Sequence, residues 1–120
     1  RKRINLLKLL YLSMFSKHNE AGYKEVLPGI MMKTTVYGEK TLMTEFILKE
    51  GSILPAHDHI HEQTGYMVSG RILLSIGDNK YEVTAGDSWN IPGSVPHSAE
   101  ILEDSVAIEV FSPCWDEYID

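Results

Sequence analysis

The sequence contains very little cysteine, since Cys114 is the only one among 120 residues. A single cysteine forms no disulfide within the chain, and it excludes zinc motifs built from several cysteines. The sequence also lacks a hydrophobic run long enough to span a bilayer. Beyond the first eight residues it lacks a basic cluster, and its formal net charge is -6. We therefore expect a cytoplasmic protein with no nucleic-acid partner and no membrane partner.

The first twenty residues differ in composition from the rest of the chain. Arg1, Lys2 and Arg3 precede a short apolar run that Lys8 interrupts. Four residues recur at helical spacing: Ile4, Leu7, Tyr11 and Met14. This stripe predicts a short helix on the outside of the domain or on a partner subunit. We expect residues 1–20 to be an extension that is either helical or foreign to the natural protein, with Met14 as an alternative start. Residues 21–120 form the predicted single domain.

From residue 21 onward, short β-type runs alternate with Gly, Pro, Asp and Asn. The predicted strands are residues 31–37, 42–49, 52–54, 64–69, 71–76, 80–84, 88–91, 96–101 and 105–112. Residues 77–79 predict the turn of a hairpin. Many short strands indicate an antiparallel sandwich or barrel, because closure of the sheet removes exposed edges. The predicted fold class is therefore all-β.

A histidine-rich stretch follows the third predicted strand. If residues 53–59 are extended, side chains alternate between faces, so His57 and His59 point the same way. One imidazole from each can then meet one metal ion. Gln63 has the same parity and can add an oxygen ligand.

Two segments resemble the two motifs of the cupin family. The first contains Gly51, His57, His59, Gln63 and Gly70, with Gln where the family more often has Glu. The second contains Gly86, Asp87, Pro92, Gly93, Pro96 and His97. It differs at Ser94, which replaces a usual Gly, and at Ile101, where Asn is common. The resemblance implies a jelly-roll barrel, the cupin double-stranded β-helix, paired as a homodimer with a metal ion inside.

The resemblance implies four ligands for one divalent transition metal ion per subunit: His57, His59, Gln63 and His97. Neutral imidazole binds several such metals, and zinc, nickel, iron and manganese remain open. Three imidazoles and one amide oxygen leave coordination positions for water or substrate. Gln63 has an alternative role as a hydrogen-bond donor beside the site. In that case His61 or Glu62 is the candidate fourth ligand.

The last predicted strand resembles the cupin subgroup related to the pectin-degradation protein KdgF. In that subgroup the strand ends with an acidic residue, a Phe and a Ser-Pro pair, and this chain has Glu109, Phe111, Ser112 and Pro113 at the same spacing. Residues 61–66 also resemble the first motif of the subgroup. The resemblance implies opening of unsaturated uronate rings, with Glu109 as the acid/base residue and Phe111 in the cavity wall. Trp115 stands where the subgroup has an arginine that holds the sugar carboxylate. Arg71 is the candidate substitute for that arginine.

Glu109 is informative without the resemblance, because its neighbours in sequence are hydrophobic. Burying a lone carboxylate is unfavourable, so Glu109 either faces inward with a partner or lies solvated on the outer face. Met67 is expected to line the cavity, whereas Trp89 is expected in the core. Gly65 is expected beside the site, where a side chain would crowd it. The expected ligand-binding residues are thus Met67, Arg71, Phe111 and Trp115.

The main functional hypothesis is a metal-dependent enzyme that acts on a small sugar acid or a related carbonyl compound. The reaction would be uronate ring opening or isomerisation, in which the metal polarises an oxygen and Glu109 moves a proton. An iron-dependent dioxygenase that uses the same ligands is one alternative. A cupin that binds a small molecule without converting it is the other.

Overall fold

The computed structural model of the protein describes residues 14–119, and β-strands account for most of them. The strands are Lys24–Leu27 (β1), Ile30–Tyr37 (β2), Leu42–Leu48 (β3), Ile53–His57 (β4), Glu62–Ile76 (β5), Asn79–Thr84 (β6), Ser88–Ile91 (β7) and His97–Ser112 (β8). One short 3-10 turn, Asp116–Tyr118, follows β8. No α-helix occurs among these residues, and the all-β prediction is confirmed. No helix in the described part of the chain is long and apolar enough to cross a membrane.

The two longest strands, β5 and β8, organise the sheet. The strand order is β1-β2-β3-β8-β5-β6, with β4 beside β8 and β7 beside β5, and the pairs are antiparallel. The end of β8 pairs with β3 and the start of β5, whereas its beginning pairs with β4 and the end of β5. Both strands therefore pass from one layer of the jelly roll to the other and enclose the interior between the layers.

Gly70 does not end a strand, as the sequence predicted, but lies inside β5 where the register with β8 shifts. Its φ of 94° is in the left-handed region, and a Cβ there would overlap Ser105 and the backbone of Asp104. Glycine therefore permits a bulge and a close approach of the two strands. The segments 64–69 and 71–76 are consequently one bent strand, and so are 96–101 and 105–112. The hairpin between β5 and β6 is confirmed.

β1 was not predicted, because its side chains are largely exposed and show no hydrophobic alternation. The stretch before it is held on β2, since Lys33 Nζ donates to the carbonyl oxygens of Asn19 and Ala21 at 2.9 and 2.7 Å. The predicted helix falls mainly on residues 1–13, which lie outside the described residues. The division of the chain at residue 20 stays a prediction.

The hydrophobic core fills the space between the two layers. Ile30 and Leu48 come from one layer, and Ile72, Leu74 and Ile101 come from the other. Full burial of each such side chain contributes about 1.5–3 kcal/mol to the free energy of unfolding. A smaller cluster of Leu42, Phe111, Cys114 and Ile119 fixes the C-terminal turn against the barrel.

Strand alternation in β8 determines which side chains face the interior. Ser105, Ala107, Glu109 and Phe111 are buried, and the residues between them are partly exposed. Of the two orientations that the sequence left open for Glu109, the structure therefore has the inward one. This places a carboxyl group inside an otherwise largely apolar barrel.

Candidate metal centre

Three of the predicted ligands lie together at one side of the interior. His57 ends β4 and His97 begins β8, and these two residues are paired directly across the strands. His59 follows β4, and its ring centroid is 5.7 Å from that of His57 and 5.0 Å from that of His97. One ligand atom from each histidine lies within 4.8 Å of the other two. Strand pairing thus joins a distant histidine to the local pair.

A backbone carbonyl orients each of the three imidazoles. Nδ1 of His57, His97 and His59 lies 2.9, 2.9 and 3.0 Å from a carbonyl oxygen two residues away in sequence. Because a carbonyl only accepts, Nδ1 carries a proton, and in the neutral ring Nε2 then keeps its lone pair. Nε2 of His97 is buried without a hydrogen-bond partner among the described residues. The three Nε2 atoms therefore form a donor set that fits a divalent transition metal ion.

Burial favours the neutral form of two of these histidines. It lowers the pKa of both His59 and His97, although a hydrogen bond to a backbone carbonyl opposes the effect in each case. The neighbouring imidazole of His57 lowers both pKa values further. Neutral imidazole is the form that binds a metal. The surroundings therefore prepare these rings for coordination.

The buried Gln63 connects the histidines to the carboxyl group. Its Oε1 lies 3.1 Å from Nε2 of His59, and its Nε2 donates a hydrogen bond to Oε1 of Glu109. With Nδ1 of His59 protonated, two lone pairs face each other at the 3.1 Å contact. Ligands of one metal ion are typically about 3 Å apart, since each lies roughly 2.0–2.2 Å from the ion. The amide oxygen therefore fits the position of a fourth ligand.

Glu109 is buried and accepts a second hydrogen bond, from Nε1 of Trp89 at 3.0 Å. Burial raises the pKa of its carboxyl group, while the hydrogen bonds from Gln63 and Trp89 act in the opposite direction. Gly65 makes the contact with Trp89 possible, because a Cβ at this position would overlap the indole ring. A carboxyl group held in this way is suited to taking up and releasing a proton.

A cavity of about 380 Å³ lies beside these groups, within the range typical of small-molecule sites. Its polar lining includes His57, His59, Gln63, His97 and Glu109. Aliphatic and aromatic side chains from both layers supply most of the remaining wall, including Ile30, Phe46, Leu48, Ile72, Leu74 and Ile101. The cavity therefore joins a connected polar cluster to a largely apolar wall.

Among the predicted ligand-binding residues, Phe111 and Trp115 line the cavity. The structure does not bring Met67 there, because its side chain points into the core and is fully buried. Nor does it bring Arg71 there. That guanidinium lies 2.8 Å from the carboxylate of Glu103 and 3.6 Å from that of Glu82, on the outer surface. The hydrogen bond to Glu103 also raises the pKa of Arg71.

The alternative fourth ligands lie elsewhere. The converging ligand atoms include neither His61 nor Glu62. The ring of His61 stacks on Trp115, with centroids 4.1 Å apart and planes 4° apart. The carboxylate of Glu62 accepts a hydrogen bond from the Asn90 side chain at 2.9 Å. Of the candidates for a fourth ligand, Gln63 is the one whose side-chain oxygen lies near Nε2 of His59.

Sequence reasoning missed two residues of the site. Trp89 was assigned to the core alone, yet it lines the cavity and donates to Glu109. Its partner in the β5–β7 register is Gly65, and a glycine opposite a tryptophan is the signal that could have revealed the role. Tyr118 was not selected, although it lines the cavity and stacks on Trp115 at 4.4 Å and 22°.

Comparison with known proteins places this geometry in a wider group. A family model described as "Cupin domain" matches residues 44–112, more than half of the chain. The solved structure of KdgF from Halomonas sp. superposes with a TM-score of 0.84 at 28% sequence identity. That match covers 89% of this chain and 99% of the other.

Two curated relatives are similar over part of their length. The H2HPP isomerase of Bacillus subtilis is 29% identical over 85 residues, which are 68% of this chain and 36% of the relative. An uncharacterized protein of Methanocaldococcus jannaschii is 36% identical over 64 residues, which are 52% of this chain and 51% of the relative. The chain thus spans between about a third and a half of these relatives.

Proposed function

The chain belongs to the cupin domain family, and from its site we propose that it is a metal-dependent enzyme acting on a small carbonyl compound. The observation that carries the proposal is the buried carboxyl group of Glu109. It lies beside the histidine cluster and is joined to it through Gln63. A site that only stored a metal would not need a buried acid facing the ligand cavity.

The proposed metal ligands are Nε2 of His57, His59 and His97, together with Oε1 of Gln63. All four side chains are uncharged when they coordinate, so the full positive charge of the ion remains available to a ligand. When bound, a divalent ion supplies Lewis-acid polarisation of a carbonyl oxygen. Coordination by Gln63 would also fix the orientation of its amide group. With Oε1 directed at the metal, the NH₂ group faces Glu109.

Glu109 is the proposed acid/base residue. Its carboxylate takes a proton from the carbon next to the substrate carbonyl, and the electron pair of that C–H bond moves into the conjugated system. The same carboxyl group then returns the proton to another carbon, so the reaction is an isomerisation without net oxidation. Gln63 and Trp89 hold Oε1 of Glu109 in place during both transfers. A raised pKa brings the carboxyl group closer to neutral pH, which favours both steps.

The relatives support this reaction class. One curated relative is named as an isomerase, and the chain is similar to it over 68% of its length. The similarity to KdgF supports a second candidate, the opening of an unsaturated uronate ring at the same site. Glu109 and Phe111 would have the roles there that the subgroup resemblance implies.

We further propose that the protein is a cytoplasmic homodimer that takes a small-molecule ligand.

Metal analysis tests the first half of the proposal. The purified protein should contain about one divalent ion per chain, and His57→Ala and His97→Ala should each lose most of it. His18→Ala is the matched control, because His18 lies in the exposed stretch before β1. Variants that retain as much metal as the wild type would disprove the assigned ligands.

Proton exchange tests the second half. Candidate carbonyl compounds are incubated in D₂O, and deuterium entry next to the carbonyl is followed by NMR. Glu109→Gln should reduce the rate by roughly 10²–10⁴-fold while metal content is unchanged. For the second candidate reaction, the absorbance of an unsaturated uronate should likewise disappear more slowly with this variant. Equal rates for the wild type and the variant would remove Glu109 from the reaction.

The remaining hypotheses give different results in the same assays. A dioxygenase would depend on Fe(II) and consume oxygen, whereas an isomerase consumes no oxygen with any metal. A binding protein would raise its melting temperature with a ligand that it leaves unconverted. Oxygen uptake and recovery of the ligand after incubation therefore distinguish the three classes.

A further inference from the structure

We infer that the cavity accepts a carbonyl compound with an uncharged, apolar body and a single polar end, rather than a polyhydroxylated sugar acid. The inference rests on the proposed function in one respect, because the polar end is placed beside the histidines and Glu109. The chemistry of the remainder of the ligand follows from the apolar wall of the cavity.

The histidines, Gln63 and Glu109 form one connected polar cluster in the cavity lining, and most of the donors beside it are already engaged. The Nδ1 atoms of the histidines bond to backbone carbonyls. Gln63 and Trp89 both donate to Glu109, so the hydroxyl of Tyr118 and the indole N–H of Trp115 are the side-chain donors of the lining that remain for a ligand. A sugar with several hydroxyl groups would need several further partners. The polar cluster can therefore satisfy one oxygen-bearing end but not a whole sugar ring.

The rest of the cavity lining is mainly hydrocarbon. Ile30, Leu48, Ile72, Leu74 and Ile101 line the cavity and belong to the buried core, so no side-chain donor or acceptor comes from these positions. A hydroxyl group placed against them loses its hydration and gains no replacement, which is unfavourable. An alkyl or aryl group at the same place loses nothing and gains apolar burial.

The wall also lacks a positive charge for a distant carboxylate. No Lys or Arg is among the cavity-lining residues in the part of the chain that the structure describes. Arg71 is engaged with Glu103 and Glu82 on the outer surface. The acidic group that does line the cavity is Glu109, which disfavours an anion nearby. An anionic group on the body of the ligand would therefore be buried without a partner.

Ring stacking fixes the position of Trp115 in the cavity wall. Its indole ring lies between the rings of His61 and Tyr118, with centroid separations of 4.1 and 4.4 Å. Its edge faces Phe111, at 5.2 Å and 86°. Because both faces of the indole are covered, the ring cannot easily swing away to admit a solvated carboxylate. Trp115 is consequently a specificity-determining residue against a charged body.

A matched pair of ligands tests the inference. 4-Methylacetophenone and 4-acetylbenzoate share the carbonyl end and differ at the far end, where one has a methyl group and the other a carboxylate. Binding is measured by calorimetry with metal-free and with metal-loaded protein, and galacturonate serves as the sugar acid. The methyl compound should bind at least about tenfold more tightly than the carboxylate in both forms, and galacturonate should bind more weakly still.

Two variants make the test specific. Trp115→Arg introduces a cation and should reduce or reverse the preference for the methyl compound, whereas Trp115→Phe should keep it. Circular dichroism checks that both variants are folded. Comparable binding of 4-acetylbenzoate or galacturonate to the wild type would overturn the inference. So would a lack of 4-methylacetophenone binding at about 1 mM.

The design separates this inference from the proposed function. Binding to the metal-free protein requires neither metal nor turnover, so an inactive enzyme can still show the predicted order of affinities. Conversely, proton exchange that depends on Glu109 but favours galacturonate would support the proposed enzyme class and reject the apolar ligand.

Discussion

Gly65 leaves the space in which Trp89 reaches Glu109, the proposed acid/base residue on β8. It lies opposite Trp89 in the register of β5 and β7, and the indole crosses the space where a Cβ would be. Trp89 thereby reaches Glu109 with its Nε1 atom. Packing and hydrogen bonding at the site thus depend on the same glycine.

We predict that Gly65→Ala displaces Trp89 and removes its hydrogen bond to Glu109. The free energy of unfolding should fall by about 1–3 kcal/mol, because overpacking is combined with a less well-satisfied buried carboxyl group. Urea unfolding and tryptophan fluorescence measure the two effects. Gly38→Ala is the control, because nothing lies within 4 Å of a Cβ at that position. Equal stability of both variants would contradict the crowding argument.

The lowered pKa values of His59 and His97 predict that the stability of the metal-free protein depends on pH. Burial lowers the folded-state pKa of His59 and His97 below the value of about 6.5 expected in the unfolded chain. Their contribution to stability is therefore complete above about pH 6.5 and is lost as the pH falls through the folded-state values. Urea unfolding in the presence of a chelator, at several pH values, measures this loss.

His97→Gln should show a smaller decrease in stability with falling pH, because Gln does not titrate. His18→Gln should follow the wild type, since His18 is exposed and lies outside the site. If the wild type and His97→Gln lose stability in parallel, buried histidine protonation is not the cause.

At the scale of elements, the C-terminal turn joins the end of the chain to the loop that carries His59. Trp115 begins the turn and stacks on His61, while Tyr118 covers its other face. The carbonyl oxygen of Tyr118 accepts a hydrogen bond from Thr34 Oγ1 at 2.7 Å, which anchors the turn on β2. The turn therefore supports one wall of the cavity from two sides.

We predict that Tyr118→Ala weakens both the fold and the metal site. Loss of the ring should lower the free energy of unfolding by roughly 1–3 kcal/mol. The reason is that the stack on Trp115 and the burial of the partly buried Tyr118 side chain are lost together. Metal affinity should decrease as the loop with His59 becomes less fixed, by up to about 10–100-fold. Competition with a chelator measures this affinity. Tyr81→Ala, at a half-exposed position on β6, should leave metal affinity unchanged.

The elements also show what a sequence pattern can and cannot predict. Alternation and turn residues were sufficient for β2, β3, β6 and β7, and motif spacing led to the three histidines that the structure brings together. Continuity of β5 through Gly70 was not predictable, because a glycine with positive φ is typical of turns as well as bulges. The role of Trp89 becomes visible only once the register that places it opposite Gly65 is known, and that of Tyr118 depends on its stacking with Trp115 in the turn after β8.

At the scale of the whole molecule, the outer surface of the β3–β8–β5 layer has an apolar character. Met43 and Ile47 on β3 are each 37% exposed, and Tyr66 and Val68 on β5 are 50% and 45% exposed. Partly exposed Val106, Ile108 and Val110 of β8 lie between these strands. Glu45 lies between Met43 and Ile47 on β3, and the apolar side chains around it form a patch typical of an interface with another protein surface.

We predict that the protein is a homodimer and that this surface contributes to the contact. Light scattering after size exclusion should give twice the mass of one chain, and Ile47→Glu should shift the protein toward the monomer, because a carboxylate would be buried in the contact. Tyr81→Glu is the control on another strand. A wild type that is monomeric at all tested concentrations would contradict the dimer.

The pairing of His57 with His97 has a kinetic consequence. These residues are neighbours across β4 and β8, although 40 positions separate them in sequence. The complete set of three imidazoles exists only after this long loop has closed, and closure of non-local contacts limits the folding of β proteins. An ion that binds only the finished set stabilises the folded state and not the transition state that precedes it. It would therefore slow unfolding and leave the folding rate nearly unchanged.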